Sequence, residues 1–76
     1  MDDMIYKVFG AYIKEARITK GLSQQEVADR LGIKQNAYSR FEKATCKITL
    51  PVMLELEHIL GISLSEFFYN YNKQEE

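Results

Sequence analysis

Four polar side chains stand close together near the middle of the chain: Gln35, Asn36, Ser39 and Arg40. Counted from the first, they fall at offsets of one, four and five, so a helix through them turns all four outward on one face. Their chemistry suits the edges of base pairs. Gln and Asn can hold adenine N6 and N7 together, Arg can hold guanine O6 and N7 with two N–H groups, and Ser bonds with less selectivity. The same residues also make an ordinary solvated face, and their types alone leave both readings open. Lys34, Lys43 and Lys47 flank the run. Each can neutralise a phosphate or simply keep the surface soluble.

The elements that would position these groups are helical. Glycine and proline are scarce, at four and one, and no alternating β-branched run or Asn-Gly hairpin signal occurs. In a first helix Ile5, Val8, Phe9, Tyr12, Ile13 and Ala16 make one apolar stripe, ended by Gly21. Ser23 to Glu26 reads as a capping box with Leu22 and Val27 as its hydrophobic staple, opening a second helix over Gln24 to Leu31 that stops at Gly32. A third helix follows over Gln35 to Lys43, with Ile33, Tyr38 and Phe41 inward and Lys34 a poor cap. Thr49 is expected to cap a fourth helix with Pro51 in its first turn and Gly61 after its end. Ser63 to Glu66 is a second capping box, with Ile62 and Phe67 as staple, for a fifth helix ending near Tyr69 or Asn70.

Two helices of eight or nine residues joined by Gly32, Ile33 and Lys34 form a helix-turn-helix pattern, with the small Ala28 where the second helix must cross closely. Spacing alone does not separate this from any compact corner between helices.

Composition bounds the rest. The chain has 76 residues, 46% hydrophobic and 28% charged. That is one small domain with a minimal core. Residues 1–71 read as that domain, and residues 72–76 as a polar end expected to fray. One cysteine, Cys46, excludes an internal disulfide, and with one histidine, His58, no structural zinc site can form. His58 has no nucleophile at a recognisable spacing, so an enzyme is not expected and no cofactor is implied. The start, Met1-Asp2-Asp3-Met4, is acidic where a signal peptide would be basic, and no apolar run is long enough to cross a bilayer. A soluble cytoplasmic protein is the expectation, with no membrane partner and no small-molecule ligand evident.

The run Leu22-Ser-Gln-Gln-Glu-Val-Ala-Asp-Arg-Leu-Gly-Ile33 resembles the lambda-repressor-like, or Cro/C1-type (XRE family), helix-turn-helix domain. The likeness continues through Tyr38-Ser39-Arg40-Phe41-Glu42, through Thr49 to Leu54, and through Leu60-Gly61-Ile62-Ser63-Leu64-Ser65-Glu66-Phe67-Phe68. Ile13 and Arg17 also fit, so residues 9 to 68 are covered. Three positions depart from the family pattern: Ala44 where Gly is usual, Ile48 where Pro is common, and Glu57 where Ala is common.

The resemblance implies an all-α fold, a compact five-helix bundle that presents its third helix to the DNA major groove. It implies a transcriptional regulator, usually a dimer on a near-palindromic operator. In that docking mode Gln35, Asn36 and Arg40, with Ser39 a weaker candidate, read bases. Gln24, at the start of the second helix, contacts the DNA backbone and braces Gln35, with Lys34, Lys43 and Lys47 as further phosphate anchors. Arg17 and Glu42 form an ion pair tying the first helix to the third, a structural role.

A whole-chain net charge of −1 speaks against DNA, but the charge is unevenly spread. Residues 1–48 hold nine Lys and Arg against six Asp and Glu; residues 49–76 hold one against five. The basic surplus therefore sits with the helix-turn-helix. Leu64, Phe67, Phe68, Tyr69 and Tyr71 exceed what one short helix easily buries. Phe68, Tyr69 and Tyr71 are the candidate contacts of a homodimer, although Leu64, Phe67 and Phe68 also suit a core. The rival reading is a protein-interaction or antitoxin-type module that keeps the fold, with a regulatory protein partner and DNA binding secondary or absent. Cys46, in the loop after the third helix, is expected to be an inert reduced thiol.

Overall fold

A computed structural model describes residues 3–74 of the chain. Met1, Asp2, Glu75 and Glu76 lie outside it, and with them part of the acidic start and of the polar end. Five helices follow one another, with no strand among the described residues: α1 Met4–Thr19, α2 Gln24–Leu31, α3 Gln35–Lys43, α4 Leu50–Leu60 and α5 Leu64–Gln74. The architecture is the expected all-α one.

The local chemistry explains most boundaries. Past α1, Gly21 turns left-handed, and the N–H of Leu22 donates to the carbonyl of Arg17 at 3.1 Å. At the start of α2 the Ser23 hydroxyl accepts from the N–H of Glu26 at 3.0 Å. The Glu26 carboxylate accepts from the N–H of Ser23 at 2.9 Å, so the capping box is complete. These bonds hold the Glu26 carboxyl below the usual carboxylate range. Gly32 ends α2 left-handed.

Ala44 closes α3 in the left-handed region too, at φ 59°, ψ 29°. The N–H of Thr45 reaches the carbonyl of Arg40 at 3.0 Å across it. A residue with a Cβ is strained there, where glycine would not be.

Two expectations at helix ends need correction. Thr49 occupies the capping position of α4, but its hydroxyl makes no cap bond. A cap side chain takes the N–H of the second or third helical residue, and the second here is Pro51, which has none. The fifth helix also runs further than its apolar pattern suggested, to Gln74. Its start is capped twice: the Ser63 hydroxyl accepts from the N–H of Glu66 at 3.1 Å, and Glu57 reaches over from α4 to accept from the N–H of Leu64 at 2.9 Å. Glu57, a departure from the family pattern, thus closes the loop between α4 and α5.

The core joins Phe9 and Ile13 of α1, Val27 and Ala28 of α2, Tyr38 of α3, Ile48 of the loop between α3 and α4, Leu56 and Leu60 of α4, and Leu64 and Phe67 of α5. Phe67 is its aromatic hub. Its ring meets Phe9 edge-on at 5.0 Å and Phe68 at 5.2 Å, and Tyr71 stacks on it at 6.2 Å. Such pairs add to the area they bury.

One approach is closer than any side chain would allow. Gly10, in the middle of α1, lies against the last turn of α3. A Cβ there would stand 2.6 Å from the carbonyl oxygen of Glu42 and 2.8 Å from that of Phe41.

Candidate nucleic-acid interface

The start of α2 meets the outer face of α3. Gln24, Gln35, Asn36 and Ser39 line a shallow open cleft there. Gln35, Asn36 and Arg40 are exposed and Ser39 is half-buried. Three of the four residues read as base contacts therefore gather with Gln24 in one place. Arg40 stands on the same helix outside the cleft. The helix-turn-helix is held by the capping box at one end and left-handed Gly32 between its helices, while the backbone N–H of Ile33 donates to the carbonyl of Ala28 at 3.0 Å. Helix geometry leaves the first N–H groups of α2 outside the intrahelical ladder, and of these the N–H of Glu26 is taken by the Ser23 hydroxyl.

Beneath the cleft lies a buried polar cluster. Arg17 Nε donates to Glu42 Oε2 at 2.7 Å, Arg17 Nη2 to Glu42 Oε1 at 3.1 Å, and Arg17 Nη1 to the carbonyl of Leu22 at 2.9 Å. The Glu42 side chain is 2% exposed and that of Arg17 12%. Gln24 Nε2 donates to Glu42 Oε1 at 3.0 Å. Burial works to raise the Glu42 carboxyl. The Arg17 hydrogen bonds, the nearby Tyr38 hydroxyl and the Gln24 amide outweigh it and hold the carboxyl below the usual range.

The Tyr38 hydroxyl lies beside this carboxylate without a hydrogen bond of full geometry. Among the described residues it is the one buried side-chain polar atom left so. Burial first, and then the neighbouring Glu42, push its proton loss far above the ordinary range. Tyr38 is fully buried.

The phosphate-anchor candidates are spread out. Lys34 is exposed at the start of α3 and Lys43 at its end. Lys47 turns the other way: its ammonium stands 3.7 Å from Asp3 Oδ1 and 5.6 Å from the centre of the Tyr6 ring, at the start of α1. Lys47 and Asp3 are both 70% exposed, so the pair is weak and leaves Lys47 available to a phosphate. Gln24 spends its amide on Glu42, and no bond to Gln35 accompanies it, although the two share the cleft.

The candidate dimer residues differ among themselves. Tyr69 is 67% exposed, with Lys73 Nζ 6.0 Å from its ring centre. Phe68 and Tyr71 are half-buried, and Tyr71 packs on Phe67 within the chain. Cys46 is exposed. Among the described residues no three His, Cys, Asp or Glu side chains gather as metal ligands would, and no helix is long and apolar enough to cross a membrane.

Sequence reading missed two parts of this site. It assigned Glu42 to Arg17 alone and did not connect it to Gln24. It also passed over Gly10, whose position opposite Glu42 is set by tertiary packing. The one available signal was a glycine in an otherwise strong helical stripe.

With this geometry in place, the class follows. The helix-turn-helix family model matches residues 13–67, and the chain belongs to that family, the Cro/C1-type class its motifs resemble. This is a DNA-binding class and not an enzyme class. The chain is 39% identical over 56 residues, 74% of its length and 52% of the relative's, to the SPbeta prophage-derived uncharacterized HTH-type transcriptional regulator YonR of Bacillus subtilis. It is 30% identical over 59 residues, 78% of its length and 53% of the relative's, to the cryptic phage CTXphi transcriptional repressor RstR of Vibrio cholerae. It is 33% identical over 67 residues, 88% of its length and 36% of the relative's, to the HTH-type transcriptional regulator PuuR of Escherichia coli. The chain spans about half the length of the first two relatives.

Proposed function

We propose that this chain is a sequence-specific double-stranded-DNA-binding transcriptional regulator, a repressor that acts in the cytoplasm as a homodimer on a near-palindromic operator. In this reading α3 enters the major groove, Gln35, Asn36, Ser39 and Arg40 meet base edges, and Gln24, Lys34, Lys43 and Lys47 hold the backbone. The observation that carries it is the cleft where the start of α2 meets Gln35, Asn36 and Ser39. A phosphate-binding helix start and base-reading amides are side by side there. The similarity to a phage repressor supports repression over activation.

The homodimer rests on α5. Tyr69 is a large aromatic left in water beside half-buried Phe68 and Tyr71, and aromatic residues concentrate at interfaces. One domain over residues 1–71, with a polar end at 72–76, belongs to the same proposal.

Selection of bound sequences from a random DNA pool tests the whole. A palindromic motif with half-sites about one helical turn apart is expected. Arg40→Ala should lower affinity for that motif by about 1–3 kcal/mol and relax the choice at one base position. No enriched motif at low salt would overturn the DNA reading. A sedimentation profile that stays monomeric at high micromolar concentration would overturn the dimer.

A further inference from the structure

We infer that Glu42 is a positioning residue for DNA contact: its carboxylate holds the Gln24 side-chain amide in the one orientation that turns an N–H toward the cleft. The inference rests on the DNA reading above and goes beyond it, since the ion pair with Arg17 explains Glu42 without any such role.

A carboxylate only accepts hydrogen bonds. The group of Gln24 that stands 3.0 Å from Glu42 Oε1 is therefore its NH2 and never its carbonyl oxygen. That fixes which end of the amide faces Glu42. One N–H is spent on Glu42, and the second is left for an acceptor in the cleft that Gln24 shares with Gln35, Asn36 and Ser39. A glutamine free to rotate would offer its oxygen to a phosphate half the time, and would have to lose that freedom on binding.

Glu42 is itself immobile. Both its oxygens are engaged by Arg17, its side chain is 2% exposed, and its backbone is pressed against Gly10. The chain of restraint runs from α1 through Arg17 and Glu42 to the first residue of α2. It reaches the proposed phosphate contact from underneath.

The electrostatic expectation has the opposite sign, which makes the inference testable. Glu42→Gln takes a negative charge from the half of the molecule that meets DNA, and charge alone predicts tighter binding to any duplex. Positioning predicts weaker binding. The test uses the full chain, a mixed-sequence 20-base-pair duplex at low salt, and a temperature at which urea unfolding and near-ultraviolet circular dichroism show every variant folded. Glu42→Gln is expected to weaken binding about five- to tenfold, the scale of one mispositioned hydrogen bond. In a Gln24→Ala background it should change binding less than about twofold.

In the free protein, the two Gln24 amide protons should be well separated in the nitrogen–proton spectrum, with one slow to exchange. Glu42→Gln should bring them to the positions of an exposed amide. If Glu42→Gln does not fold, Glu42→Asp retains the charge for Arg17, shortens the reach to Gln24 and should give the same signature. Losses that multiply in the double variant, tighter binding by Glu42→Gln, or a freely rotating Gln24 amide in the wild type would each overturn this inference alone. A wild-type chain that binds no duplex would overturn the DNA reading as well.

Discussion

Gly10→Ala measures how closely α1 and α3 are locked. The added Cβ would stand 2.6 Å from the Glu42 carbonyl oxygen and 2.8 Å from that of Phe41. Ordinary carbon–oxygen contacts begin near about 3.3 Å, so the helices must part by roughly 0.7 Å. Neither oxygen can swing aside, because both are backbone atoms in the last turn of α3. Overpacking of this kind costs about 1–3 kcal/mol, and backbone neighbours place it at the upper end. Against it stands the gain from replacing glycine inside a helix, about 1 kcal/mol. The net expectation is a loss of about 1–2 kcal/mol, a large share of the stability of a domain this small. Urea unfolding followed by circular dichroism measures it. Ala11→Gly, at the exposed neighbouring position of the same helix, isolates the propensity term. Should Gly10→Ala prove as stable as the wild type or more so, the close approach does not exist in solution.

Three further outcomes are expected. Ala44→Gly should raise stability by about 0.5–1 kcal/mol, because the left-handed backbone at φ 59° strains alanine and not glycine; a calorimetric melting temperature that falls would refute this. Tyr38→Phe should cost less than about 1 kcal/mol, since the hydroxyl it removes makes no hydrogen bond of full geometry and only assists Arg17 and Gln24 in holding the Glu42 carboxylate; a larger loss in urea unfolding would mean that it makes a full hydrogen bond. The third concerns acid. Because folding lowers the Glu42 carboxyl from its ordinary 4.5, its contribution is fully present above that value and lost as pH falls through the lower folded value. Unfolding midpoints measured from pH 6 down to about pH 3 should fall less steeply in Glu42→Gln than in the wild type. Equal slopes would show that Glu42 titrates normally.

The helices were readable because their signals are local. The Ser23 to Glu26 box and the glycines at 21, 32 and 61 act within a turn of themselves, and each stands where expected. The family likeness also brought Arg17 to Glu42 across 25 positions. What escaped were relations that depend on distance in space. Glu57 caps α5 from the neighbouring helix, and no rule of spacing connects a carboxylate to an N–H seven residues away. Gly10 was passed over within the helical stripe and is a contact with α3. Thr49 had the right type at the right place, yet Pro51 had removed one of the N–H groups it could serve. In the site, α3 displayed its polar face as its periodicity requires, while the tie from Gln24 to Glu42 depends on how α2 crosses α3.

The Arg17–Glu42 pair bears on modularity. Residues 22–43 contain the whole helix-turn-helix, but the arginine that immobilises Glu42 lies outside them, in α1, as does the glycine against which Glu42 rests. A graft of α2 and α3 alone onto another scaffold would carry every side chain proposed to touch DNA from Gln24 to Lys43. It would leave a carboxylate without its partner and a first glutamine without its hold. A transferable reading head from this chain therefore has to begin no later than Gly10.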